Sequence, residues 1–139
     1  MRTMINTRQT DKRDVMQVTS IPSADPEEMD GDVQESTALK KEGLSSEFKD
    51  NTVRSSEVTF RPGERTKFHT HEGIQLLYVT EGTGVVGNRE EERTVSEGDL
   101  ILFPPGEEHW HGNTDDAESP FSHLFFIVEQ TGTTTTPVE

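Results

Sequence analysis

The chain has no cysteine, which excludes disulfide stapling and thiolate metal ligands. Aromatic residues make up only 6% and hydrophobic residues only 28%, so any core must be economical and confined to part of the chain. Lysine is scarce, and 27 acidic residues against 13 basic ones give a formal net charge of -14. A surface of that sign repels nucleic acid and anionic lipid. No stretch is long and apolar enough to cross a membrane. Residues 1–14, MRTMINTRQTDKRD, hold no apolar run, so no secretory signal is expected there. These absences point to an acidic cytoplasmic protein. Dispersed acid with little lysine also fits a salt-rich, halophilic cytoplasm in which the charges are screened, although an ordinary acidic protein shares that composition. At 139 residues there is material for one domain and not two.

The chain divides into unequal parts. Residues 1–50 form an arm poor in core material, expected to be partly flexible or to lend a strand. VMQVTSI (15–21) reads as a short strand, and 33–41 as a short helix after a polar stretch broken by Pro22, Pro26 and Gly31. Residues 51–130 change character. Short apolar runs recur (VRSSEVTF, KFHTH, QLLYVT, GVVGN, ERTV, DLILFP, HWHGN and FSHLFFIVE), separated by turn signals such as PGE, EGTG, SEGD and PPGEEH. No amphipathic helix interrupts them. The pattern is all-β, of sandwich or barrel type. Residues 131–139, TGTTTTPVE, read as a fraying tail.

All five histidines fall between positions 69 and 123. His69 and His71 are two apart in an expected strand, so their imidazoles leave the same face. They point either into the barrel or to water. Gln75 opens the next apolar run, and His109 follows a proline-glycine turn. Imidazole nitrogen suits Mn, Fe, Co, Ni or Zn, and a side-chain oxygen beside three imidazoles keeps the harder members available.

Two motifs resemble those of the cupin superfamily. The first, G-x5-H-x-H-x3,4-E-x6-G, matches Gly63, His69, His71, Gln75 and Gly82, with glutamine in place of glutamate. The second, G-x5-P-x-G-x2-H-x3-N, matches Gly98, Pro104, Gly106, His109 and Asn113 with every spacing kept. The resemblance implies a cupin β-barrel (a double-stranded β-helix, or jelly roll). It also implies one divalent transition metal held by His69, His71, Gln75 and His109, with Mn or Fe ahead of Ni, Co or Zn. A neutral glutamine leaves the centre near +2 instead of about +1, which strengthens its Lewis acidity and weakens affinity. Alternatively, Gln75 is not a ligand and the histidines hold the metal alone, or the site has decayed. Asn113 is expected to tie a turn.

The chain is also similar to small bacterial cupins with hydroxynitrile lyase activity, which carry a His-Thr-His-x3-Gln motif. The likeness runs through VTFRPGERT (58–66), GDLILFPPGEEHWHG (98–112) and SHLF (122–125). It departs at Glu72-Gly73-Ile74, where that group tends to have a proline-leucine-glycine type of insert. Relatives are also often labelled carboxymuconolactone-decarboxylase-like. The resemblance maps pocket histidines implicated in proton transfer onto His111 and His123.

Parity adds detail. His111 lies two past His109 and shares its face in a regular strand, where it can donate or accept a proton or simply line the rim. Residues 123, 125 and 127 share one face of their strand, and 124, 126 and 128 the other. Both faces are apolar, which implies core on one side and a second subunit on the other. Trp110 should point away from the site histidines, and Phe103 belongs to the core. Tyr78 and Phe68 are ambiguous, and REEER (89–93) reads as a solvated hairpin.

Three functions remain open from the sequence. One is a metal-dependent lyase, decarboxylase or isomerase acting on a small organic molecule, with the metal as Lewis acid and His111 and His123 as acid and base. Another is an Fe(II) dioxygenase. The third is a non-catalytic binding module. The expected partners are a small-molecule substrate and a second copy in a homodimer, with no nucleic acid and no membrane.

Overall fold

The computed structural model describes residues 15–133 and 135–138. The reading of residues 1–14 as free of a signal segment lies outside them. The alternating apolar runs form strands: β1 (Glu27–Met29), β2 (Ala38–Glu47), β3 (Asn51–Phe60), β4 (His69–Thr70), β5 (Ile74–Glu81), β6 (Thr83–Asn88), β7 (Glu92–Ser96), β8 (Leu100–Phe103), β9 (His109–Gly112), β10 (Phe121–Gln130) and β11 (Thr136–Pro137). They build a six-stranded sheet ordered β1-β2-β3-β10-β5-β8 and a five-stranded sheet ordered β11-β4-β9-β6-β7. Among the described residues there is no α-helix, and so none long and apolar enough to cross a membrane.

The inward rows of the two sheets pack as one small core of Ala38, Val58, Phe60, Leu77, Val79, Val86, Val95, Phe103 and Phe121. Such a core is thin, and close approach between the layers is needed to fill it. Gly84 shows this: a Cβ there would run into the Phe121 ring. Gly82, with φ of 73°, turns the β5–β6 corner against the Pro120 carbonyl, a conformation and a clearance that only glycine meets.

Three local expectations are corrected. Residues 15–20 form no strand. Val15, Met16 and Val18 are exposed, and the segment meets β2 through a side-chain hydrogen bond from Ser46 to Gln17 without joining the sheet. The helix expected over 33–41 is absent, because Gln34 bridges Thr66 and Ala38 opens β2. There, pairing with β3 outweighs the helix-forming lysines and glutamate. A bulge at Gly43-Leu44 is filled by Ser55, whose hydroxyl accepts from Leu44 N at 2.8 Å and donates to Leu44 O at 3.2 Å. Within the tail, Thr136 and Pro137 pair with Thr70 and His69 instead of fraying. The sheet therefore runs across the division drawn at residue 50, with β2 and β3 as neighbours.

The strand β10 lies at the centre of the large sheet and has two unlike faces. His123 and Ile127 are buried, while Phe126 and Val128 are 40% and 50% exposed. Cross-strand registers set Leu124 beside Tyr78 and Leu100 beyond it, Phe126 beside Leu76 and Leu102, and Val128 beside Ile74. The outer face of this sheet is thus a continuous apolar ladder, with Leu100 and Leu102 more than half exposed.

Candidate metal centre

The short strand β4 places His69 directly opposite His109 of β9. Each ring is fixed by the same local device. Nδ1–H of His69 donates to Lys67 O at 2.7 Å, and Nδ1–H of His109 donates to Glu107 O at 2.9 Å. A proton held at Nδ1 leaves the lone pair on Nε2, the tautomer a metal ligand needs. His71 follows β4 and is buried, and its Nδ1 lies 2.8 Å from the Thr135 hydroxyl. The turn that delivers His109 is tied to the same place, because Gly106 N donates to His71 O at 2.9 Å. Gly106 has φ of 79°, which favours glycine at that corner. The result is three buried imidazoles whose candidate ligand atoms all lie within 4.8 Å of one another. Phe103 stacks on His109 with ring centroids 3.9 Å apart and walls the cluster on one side.

Gln75 reaches the cluster from the other sheet. Its Oε1 lies 3.0 Å from His109 Nε2. With the His109 proton at Nδ1, both facing atoms carry lone pairs. Either the amide presents its NH₂ group or a cation sits between them. The Nε2 of His71 is buried and has no hydrogen-bond partner. Convergent lone pairs and an orphaned buried nitrogen fit a divalent metal held by His69, His71 and His109, with Gln75 in reach as a fourth donor.

The remaining two histidines form a separate pair. His123, from β10, sets Nε2 3.0 Å from His111 Nδ1, and both residues are buried. The rings of His111 and His69 are 5.5 Å apart, so the pair adjoins the cluster. His111 lines the cavity beside the cluster and its Nε2 has no partner, whereas His123 sits behind it. Asn113 serves the structure: its amide nitrogen donates to Phe60 O and Ser119 O, and its oxygen accepts from Thr114 N.

Burial dominates the electrostatics. It pushes His71 down to about 3 and His109 and His123 each to about 4, and it holds His69 lower and His111 well below the usual imidazole value. Mutual repulsion adds to this for His71, His109 and His111. All five rings are therefore neutral near pH 7, as metal ligation and proton acceptance require.

The cavity beside the cluster has a volume of about 250 Å³. Its walls include residues that sequence reasoning passed over: Met29, Val33 and Gln34 of the arm, Arg54 of β3, and Thr135 of the tail. The arm is pinned there by Lys67 N donating to Val33 O at 2.7 Å and by Arg61, whose guanidinium grips Glu28 at 2.9 and 3.1 Å. The arm and tail sequences carry no metal-ligand spacing, so only the register of β2 and β11 could have brought them here. Trp110 turns away from the cavity and lies under the Arg65 guanidinium, 3.8 Å from the ring centroid. Phe68 lies under Arg89 in the same way. Glu91 and Arg93 of the REEER hairpin pair in solvent.

Comparison with known proteins agrees with this architecture. The chain is 48% identical over 63 residues to an (R)-mandelonitrile lyase from Granulicella tundricola, a match covering 43% of this chain and 47% of that enzyme. The chain thus aligns with about half the length of that relative. A crystal structure of a cupin-like protein from Thermotoga maritima superposes with a TM-score of 0.63 at 27% identity, covering 87% of this chain and 90% of that one. A predicted oxalate decarboxylase from the same organism superposes with a TM-score of 0.67 at 18% identity, covering 81% and 99%, and at that identity the likeness speaks for the fold alone. The Cupin domain family matches residues 56–127, which span β4 to β9 and both histidine groups, and the chain belongs to that family.

Proposed function

We propose that this protein is a divalent-metal-dependent lyase acting on a small organic molecule, with His69, His71, Gln75 and His109 as metal ligands and His111 and His123 as the proton-transfer pair. The observation that carries the reading is the convergence of three neutral, buried imidazoles on one wall of a cavity that His111 also lines. The 48% identity over 63 residues with a mandelonitrile lyase supports the reaction class. Manganese or iron is the proposed metal, since a neutral oxygen donor beside three imidazoles suits both. When bound, such a metal supplies Lewis acidity that makes a substrate hydroxyl more acidic.

The protein's own part is to move the proton. The pair His111–His123 shares a hydrogen bond whose direction is free to switch. With Nδ1–H of His111 donating to His123 Nε2, His111 Nε2 is a base facing the cavity. With His123 Nε2–H donating to His111 Nδ1, the same Nε2 carries a proton and acts as an acid. In cyanohydrin cleavage, His111 Nε2 takes the hydroxyl proton as the C–C bond breaks. The bonding electron pair leaves with cyanide, and the proton returns to that carbon. Isomerisation would use both states, and decarboxylation only the acid state, which protonates the carbon that CO₂ leaves.

The outer apolar ladder of the large sheet supports a homodimer in which two copies cover Phe126, Val128 and Leu102. Sedimentation velocity should show a dimer that Phe126→Glu shifts to monomer. A wild-type monomer at micromolar concentration would count against it.

The metal reading is tested by elemental analysis of protein purified without an affinity tag. About one Mn or Fe per chain is expected, with much less in Gln75→Ala and almost none in His109→Ala. The loaded protein should release benzaldehyde from mandelonitrile. A folded wild-type chain that takes up none of Mn, Fe, Co, Ni or Zn would sink the proposal.

A further inference from the structure

Arg54 belongs to the row Arg54, Ser56, Val58 and Phe60 on β3, and the last three of these are buried inside the barrel. Its cross-strand partner on β10 is Ile127, and Ile127 pairs on its other side with Gln75. The three residues make one rung across neighbouring strands, roughly 10 Å from backbone to backbone. All three line the cavity beside the histidine cluster.

The guanidinium is held from behind. Its Nη2 donates to Glu129 Oε1 at 3.1 Å, and the Glu129 side chain is 3% exposed while that of Arg54 is 36% exposed. This bond uses one of the five N–H donors of the fork. Among the described residues the Arg54 side chain makes no other hydrogen bond. A carboxylate buried behind a half-exposed guanidinium fixes the long side chain and leaves its other edge for a ligand. Asp32, exposed on the arm, is the other charged residue of the lining.

We propose that Arg54 binds a carboxylate of the substrate, which makes the substrate class a small hydroxy- or oxo-carboxylate. This rests on the metal-centre reading above. The ligand lies over Ile127, with its carboxylate on Arg54 and its hydroxyl or carbonyl oxygen toward Gln75 and the histidines. Guanidinium matches a carboxylate with two parallel hydrogen bonds, which an amide or nitrile does not reproduce. A neutral cyanohydrin offers no anion to the edge of Arg54 that Glu129 leaves open, so its cleavage would be a side activity of the site. Glu129 is a positioning residue in this scheme.

The test is a binding comparison by calorimetry. Glycolate, 3-hydroxybutyrate and 4-hydroxybutyrate are titrated beside their amides, into manganese-loaded and metal-free protein. At least one acid should bind the wild type about ten- to hundredfold more tightly than its amide. That preference should vanish in Arg54→Met/Glu129→Gln, a pair of changes that removes both charges and leaves no buried carboxylate unpaired. Arg54→Lys should retain part of it. No preference for any acid in the wild type, or an equal preference in the double variant, would overturn the assignment. Metal content is measured on the same samples. Its absence counts against the metal centre alone, because the acid-over-amide preference is read in the metal-free protein as well.

Discussion

The two groups of histidines in this barrel are alike in burial and opposite in wiring. His69 and His109 each give their Nδ1 proton to a backbone carbonyl two residues back, and His71 sets its Nδ1 against Thr135. His111 and His123 bond to each other. A carbonyl can only accept, so the tautomers of His69 and His109 are locked. Two imidazoles can exchange donor and acceptor roles, so the second group leaves the tautomer free to change. One barrel thereby holds two fixed lone pairs, on His69 and His109, beside a histidine pair whose shared hydrogen bond can run either way.

Breaking each group in turn should separate their roles. His109→Ala should remove metal and activity together. His111→Phe should keep near-stoichiometric metal while turnover falls about 10²- to 10⁴-fold, the range of a lost acid–base group. Metal analysis and steady-state kinetics on both variants check this. Equal loss of metal in the two variants would merge the groups into one.

Acid should act on both groups through their common burial. Each ring titrates lower in the folded chain than the ordinary 6.5, so the unfolded chain binds more protons between those values and stability rises with pH across that window. The metal-free protein is expected to keep this stability above about pH 6.5 and to lose it progressively as pH falls toward about 4 and then 3. Thermal melts across that range measure it, and a flat profile would contradict the neutral-histidine description. The smallest expected effect is that of Thr135→Val. Loss of the His71 partner should weaken metal affinity about tenfold, as read by competition with a chelator, and leave the His111–His123 pair unchanged. An unchanged metal affinity would make Thr135 a bystander.

The legible part of this molecule was the part whose chemistry is local. Alternating apolar runs marked β3 to β10, and the spacings around His69, His71, Gln75 and His109 marked residues that the fold brings together. The inward placement of His111 and His123 followed from parity. What escaped was set by distant partners. The sequence ALKKEGLSSE has little strand character and becomes β2 because β3 offers it an edge. TGTTTTPVE looks free, yet Thr135 and Thr136 meet His71 and Thr70 across more than sixty residues. Arg54 reads as an ordinary surface charge until the β3–β10–β5 register sets it one rung from Gln75.

The contact between Thr135 and His71 also bears on when the site comes into being. The four donor side chains lie between positions 69 and 109, but one wall of the cavity comes from residues 29–34 and the partner of the third imidazole from residue 135. Closing loops of that length is slow compared with forming neighbouring hairpins. On the ribosome the histidines are made before the residue that orients His71, so an ion captured early meets a cluster with one ring still unaligned. In the proposed metal centre the alignment of the third imidazole is therefore a late event in the life of this chain, because it waits for residue 135.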